Sequence, residues 1–250
     1  MSTVSHPSAA GATNGASSEL HEWRSHARVF LQPIAAPSIL GLFGFATATF
    51  IVTAYLVGWY GNANSLLLIF PFATAAGGIA QGAAALWAYR ARDGLATAIH
   101  GIWAAFWLGY GFLNFMIALH LVPAPAPHAA VPAIGYWFFA LAAVTAVGAV
   151  ASLGESLGIT AVLAPLTIGA ALLGVFYVAG GSGWEKVGGY VTMLSSFTAF
   201  YTATAMMLAS TFGRVVLPLG KLRPGTDVPG GKPVYPIQFA LGEPGVKQGQ

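Results

Sequence analysis

Few residues in this chain can do chemistry, and most of those are uncharged donors set inside long apolar stretches. Gln81, His100 and Asn114 each interrupt such a stretch, and Ser195, Ser196, Thr198, Tyr201, Thr202 and Thr204 put six hydroxyls within ten residues. Amides and hydroxyls so placed can replace part of the hydration shell of a small polar solute. They cannot cut a bond unaided: the sequence offers no nucleophile–base pair and no Gly-rich phosphate loop, so no enzyme activity is expected. His100 and His120 have no cysteine to join them, and lone histidines without a nearby carboxylate make a poor metal site. No metal and no cofactor is expected. His100 either bonds a neighbouring helix or responds to pH, and His120 falls at a membrane interface. Ser and Thr can also bond their own helix carbonyls, which makes each hydroxyl structural when taken singly; their density between 195 and 204 is what favours a polar path.

The elements that must hold these groups follow from charge. Only 7% of the 250 residues are charged, against 56% hydrophobic, whereas a soluble domain carries about 25% charged residues. Most of the surface must therefore face lipid. Residues 31–89, 94–154, 156–184 and 187–213 contain no Asp, Glu, Lys or Arg, and a bilayer core needs roughly 20 apolar residues per helix. These runs divide into six spans, predicted at 38–58, 65–89, 95–121, 131–153, 157–179 and 187–212. The breaks are Pro37, the turn at 61–64, the Pro-rich stretch 123–127 and Gly180-Gly181-Ser182-Gly183. Pro71 and Pro165 lie inside spans, where each frees a carbonyl.

The expected fold is an all-α six-helix transmembrane bundle over 31–216. A polar tail, 1–30, precedes it, with a possible interfacial helix at 20–31 anchored by Trp23 and Phe30; a second polar tail, 217–250, follows. Residues 1–19 have neither a basic n-region nor an apolar h-region and do not read as a signal peptide. Placing both tails in the cytoplasm puts Arg24, Arg28, Arg90, Arg92, Arg214, Lys221, Arg223, Lys232 and Lys247 inside and leaves only Lys186 outside. An odd number of spans would destroy that bias. The formal charge of +3 sits at membrane borders without a basic face, so nucleic acid is not an expected partner.

Close helix contact in lipid relies on small residues. Gly77, Gly78 and Gly82, the last two a GxxxG pair, are expected to pack helices, with Gln81 beside them needing a partner or a wet surface.

Four segments together carry a family resemblance: APSILGLFGF (Ala36 to Phe45), GGIAQ (Gly77 to Gln81) with Tyr89 at the helix end, AFWL (Ala105 to Leu108) and FGRVVLPLG (Phe212 to Gly220). In this order and spacing the chain, from about Pro37 to Gly220, resembles the acetate uptake transporter family, which includes bacterial succinate-acetate permeases and yeast acetate/ammonia transporters. The resemblance implies a homo-hexamer in a bacterial plasma membrane, each protomer with its own path for a small monocarboxylate. It implies a constriction formed by Phe45, Trp103 and Leu166, with Trp103 where the family usually has Tyr. The first motif departs from the family's Asn-Pro start at Ala36 and lacks its second Pro, at Ile39; family glutamates appear as Ala88 and Met206.

The leading expectation is a channel or transporter for acetate or a similar acid, with Gln81, Asn114, Thr198 and Tyr201 among the polar lining. A channel for another small solute, such as ammonia or carbon dioxide/bicarbonate, and a non-conducting structural subunit of a membrane complex are the alternatives.

Overall fold

Each span has its own reason to begin and end. In the computed structural model, which describes residues 34–62, 64–221 and 229, α1 runs Pro37–Leu56 with Pro37 in its first turn, where a missing N–H costs nothing. Helix α2 covers Ser65–Arg90. Helix α3, Gly94–Ala118, is capped by Asp93, whose carboxylate accepts from Ala96 N at 2.9 Å. Helix α4 is Pro132–Ser152, and α5 is Leu157–Ala179, capped by the Ser156 hydroxyl on Ile159 N. Helix α6, Ser182–Phe212, closes on Gly213 in the left-handed conformation, a stop that suits glycine.

These six helices are long and apolar enough to cross a membrane, and among the described residues there is no strand. The chain is an all-α, multi-pass membrane protein. The interfacial segment with Trp23 and Phe30, and nearly all of both tails, lie outside the described residues. Helix α6 begins at Ser182 rather than at Val187, because positive φ at Gly180 and Gly181 already makes the break. Glu185 then sits in the first turn, where a carboxylate is favoured by the helix dipole, and bonds His128 from the Pro-rich connection.

Helix α2 is not uniform. Its middle, Thr74–Ala80, is wound as a π-helix between two α-helical halves, three residues after Pro71. Such insertions concentrate at functional sites. Here the widened turn carries the Ala76 carbonyl so close to α1 that a Cβ on Gly44 would lie 2.5 Å from it.

Pro165 sits inside α5 and has no N–H for the Ala161 carbonyl one turn back. Thr198 of α6 offers a donor in its place, with Oγ1 2.9 Å from Ala161 O and equally near Ser195 O of its own helix. Ser195 bonds Val162 O at 2.7 Å and Thr202 bonds Gly158 O at 3.2 Å, completing a row of α6 hydroxyls on α5 carbonyls. After α6 the chain turns back: Leu219 is buried, and the carbonyls of Leu219 and Gly220 accept from Gly158 N and Leu157 N at the head of α5.

Six crossings bring the start of α1 and the end of α6 to one end of the bundle, with Arg90, Arg92, Arg214 and Lys221, while Lys186 lies at the other. Leu68, Phe72, Ile79, Leu86, Val147 and Ile168 are exposed, as an apolar surface facing lipid requires.

Candidate functional site

Near the middle of the bundle Phe45 of α1, Trp103 of α3 and Leu166 of α5 belong to one continuous apolar cluster and are exposed by only 3%, 3% and 1%. The Phe45 and Trp103 rings meet edge-on with centroids 6.0 Å apart. Trp103 Nε1 donates to Thr145 Oγ1 of α4 at 3.0 Å, and that hydroxyl donates to Leu141 O at 2.6 Å. The indole therefore has no donor left for a passing solute, and this level of the bundle is apolar and shut.

One helical turn toward the end that carries Arg90 lies a polar pair. Gln81 Nε2 and His100 Nδ1 are 3.5 Å apart, both side chains are buried, and Gln81 Oε1 has no hydrogen-bond partner among the described residues. The ring of His100 fills the space that Gly41 of α1 leaves: a Cβ there would come within 2.5 Å of Nε2.

One turn the other way, Thr49 Oγ1 of α1 and Trp107 Nε1 of α3 are buried with no partner among the described residues, and Tyr110 OH continues the same pattern along α3. Buried donors without partners are costly. A solute or water that meets them relieves that cost. The section through the bundle thus reads polar, apolar, polar.

The remaining residues singled out in the sequence lie apart from this section. Asn114 spends its amide on its own helix, Nδ2 to Tyr110 O at 2.9 Å. Thr198 bonds Ala161 O across to α5. Tyr201 is 43% exposed and its hydroxyl donates to Pro218 O at 2.7 Å, so both face a shallow groove between α5, α6 and the returning C-terminal segment. The α6 hydroxyls at 195, 198 and 202 are taken up by α5 carbonyls rather than turned to a path.

Gly77 lies against the indole of Trp107, which a Cβ would overlap, and at Gly78 a Cβ would come 2.9 Å from Leu108 Cδ2. At Gly82 the nearest atom would be Ala104 Cβ at 3.6 Å, an ordinary contact. Ala88 and Met206 are both buried, and neither side chain carries a carboxylate. Among the described residues no group of His, Cys, Asp and Glu is arranged to hold a metal ion.

Sequence reasoning left His100 without its partner and did not single out Trp107 or Tyr110. The motif AFWL does contain Trp107.

Comparison with known proteins agrees with this architecture. The succinate-acetate/proton symporter SatP of Escherichia coli K12 is 28% identical over 188 residues, covering 75% of this chain and 96% of that protein. An uncharacterized protein of Methanothermobacter thermautotrophicus is 28% identical over 187 residues, 74% of this chain and 90% of its own. A solved structure described as the bacterial acetate channel SatP superposes with a TM-score of 0.68 at 26% identity, covering 75% of this chain and all of that one. The model of the GPR1/FUN34/yaaH family matches residues 22–223, and with that span, which takes in all six helices, the chain belongs to this family of membrane transporters.

Proposed function

We propose that the protein carries acetate or a similar short-chain monocarboxylate across a bacterial plasma membrane. The carrying observation is the section just described: an apolar constriction of Phe45, Trp103 and Leu166 with buried, unpartnered polar atoms one turn to either side. Moving a bare carboxylate into hydrocarbon costs on the order of tens of kcal/mol, so the carboxyl end needs those polar groups, while the methyl end suits the constriction. The similarity to the symporter and the channel named SatP supports the same substrate class.

The constriction is closed, and passage requires a side chain to move. Trp103 is tied to Thr145, whereas Phe45 and Leu166 have only packing to hold them. They are the mobile members. The excess of basic residues at the end bearing Arg90 and Arg214 supports a cytoplasmic position for that end and for both tails. Assembly as a homo-hexamer, implied by the family resemblance, accords with the exposed apolar faces of the protomer.

Purified protein in liposomes is expected to speed equilibration of labelled acetate over empty vesicles. No acceleration, with the E. coli symporter active in parallel, rejects this function. Trp103→Ala is expected to admit larger acids, and unchanged size selectivity removes Trp103 from the constriction.

A further inference from the structure

We propose that His100 and Gln81 form a carboxyl-binding station that exchanges a proton with the substrate immediately before the apolar constriction. The inference rests on the transport function proposed above and assigns it a proton carrier.

Position comes first. His100 precedes Trp103 by one turn of α3, and Gly41, on whose bare backbone the imidazole lies, precedes Phe45 by one turn of α1. A solute entering from the Arg90 end meets this pair before it meets the constriction. Gly41 is what admits the ring. Any side chain there would occupy the space of His100 Cε1, Nδ1 and Nε2.

Ionisable company is scarce. Helices α1, α4 and α5 contain no Asp, Glu, Lys, Arg or His, α2 has only Arg90 in its last turn, and α3 has only His100. Gly41 and Gln81 face the ring from α1 and α2, and Gly148 of α4 packs on the adjacent Ile99. The tyrosines of these helices, Tyr55, Tyr89, Tyr110, Tyr136 and Tyr177, lie toward helix ends or beyond the constriction. No charged residue of α1, α2 or α4 therefore faces His100. Tyrosines aside, it is the one titratable side chain in the middle of a described span.

The chemistry of the pair is half used. One N–H of the Gln81 amide is directed at His100 Nδ1, the second N–H is spare, and Oε1 has no partner. A carboxylate matches this set. In the imidazolium both ring nitrogens carry a proton, so the amide turns to let Oε1 accept from Nδ1–H, and the carboxylate oxygens accept from the freed amide N–H groups and from Nε2–H. The Nε2–H bond then breaks and an O–H bond forms on the carboxylate, leaving neutral imidazole protonated at Nδ1, still donating to Gln81 Oε1, and the free acid. The proton on Nε2 is drawn from water on the entry side, so one proton accompanies each acid. The reverse transfer loads His100 from acid arriving through the constriction.

The direction of advantage is physical. The apolar ring that excludes an anion offers a far smaller desolvation penalty to a neutral acid, and a side chain that can both give and take a proton is the one able to convert between them. With Ala88 and Met206 where the resemblance implies glutamates, His100 is placed to supply the titrating function.

The test uses the full-length protein in liposomes, with labelled acetate flux and internal pH followed together between pH 5 and pH 8. Wild-type protein is expected to move acetate and protons in a fixed ratio, faster as pH falls. His100→Gln is expected to lower flux by about 100-fold at pH 6, the low end of what a positioned proton donor contributes, and to flatten the pH profile. His100→Phe keeps a flat ring over Gly41 and tests the same point should the first variant fail to fold. Gln81→Leu is expected to raise KM for acetate about tenfold, the loss of one hydrogen bond of about 1.4 kcal/mol, while keeping the pH profile. Flux without change of profile in both His100 variants overturns the proton station alone. Absence of flux in the wild type overturns the transport function and the station with it.

Discussion

Trp103 donates its indole N–H to Thr145, 3.0 Å away on α4, and Thr145 donates onward to Leu141 O in its own helix. This chain fixes the largest side chain of the proposed constriction from behind. Thr145→Val removes the acceptor and leaves a buried N–H unpaired, a cost of about 1–3 kcal/mol. A lower Tm in detergent and faster passage of butyrate relative to acetate are the expected results. A variant as stable and as selective as the wild type would show that the tether does not shape the aperture.

The three glycines of α2 are not equivalent. Gly78→Ala must push Leu108, whose backbone N would lie 3.4 Å from the new Cβ, whereas Gly82→Ala makes only a 3.6 Å contact with Ala104. Overpacking typically costs about 1–3 kcal/mol. Thermal unfolding should therefore separate the pair, with Gly78→Ala destabilised and Gly82→Ala close to wild type. Equal melting points for both variants contradict the packing described for this face.

Thr198 and Pro165 should be coupled. Thr198→Val strips Ala161 O of its donor and is expected to cost about 1 kcal/mol. In a Pro165→Ala background the restored N–H can serve the same carbonyl, so the loss should shrink or vanish. A double-mutant cycle reads this directly. Additive effects would mean that Thr198 acts through something other than the proline's orphan.

Tyr60, in the connection after α1, donates its hydroxyl to Ile51 O at 2.6 Å. Burial, and then the neighbouring Tyr55, hold its phenol above the usual tyrosine range. The protonated form is thus favoured by the fold, and any stability it contributes is present below pH 10 and lost as pH rises past that range. In an alkaline ultraviolet titration Tyr60→Phe should reduce the late-ionising amplitude by one phenol. A titration unchanged by the substitution would place the raised group elsewhere.

Much of the architecture was legible without coordinates. The number of spans, their ends to within a few residues and the lipid-facing surface follow from where charge is missing and where Pro and Gly interrupt, since a helix in hydrocarbon must satisfy its backbone internally. The family resemblance pointed to Phe45, Trp103 and Leu166 as a group, and the three lie in one apolar cluster. The π-helical turn at Thr74–Ala80 was not legible, because the same residues fit an ordinary helix until Gly44 is known to press against Ala76 O.

The hydroxyls show the boundary most sharply. Composition alone determined that α6 carries Ser195, Thr198 and Thr202 in a membrane, and that each needs an acceptor. It left open whether that acceptor is a solute, the same helix or a neighbour, because these choices differ little in energy for an isolated side chain. Register decided it. Packing α6 on α5 brings those hydroxyls to the carbonyls of Val162, Ala161 and Gly158, while the approach of α1 and α2 to α3 leaves Gln81 and His100 facing each other with bonding capacity to spare. A short-range directional bond is settled by helix placement to within an ångström, which hydrophobicity, being non-directional, does not encode.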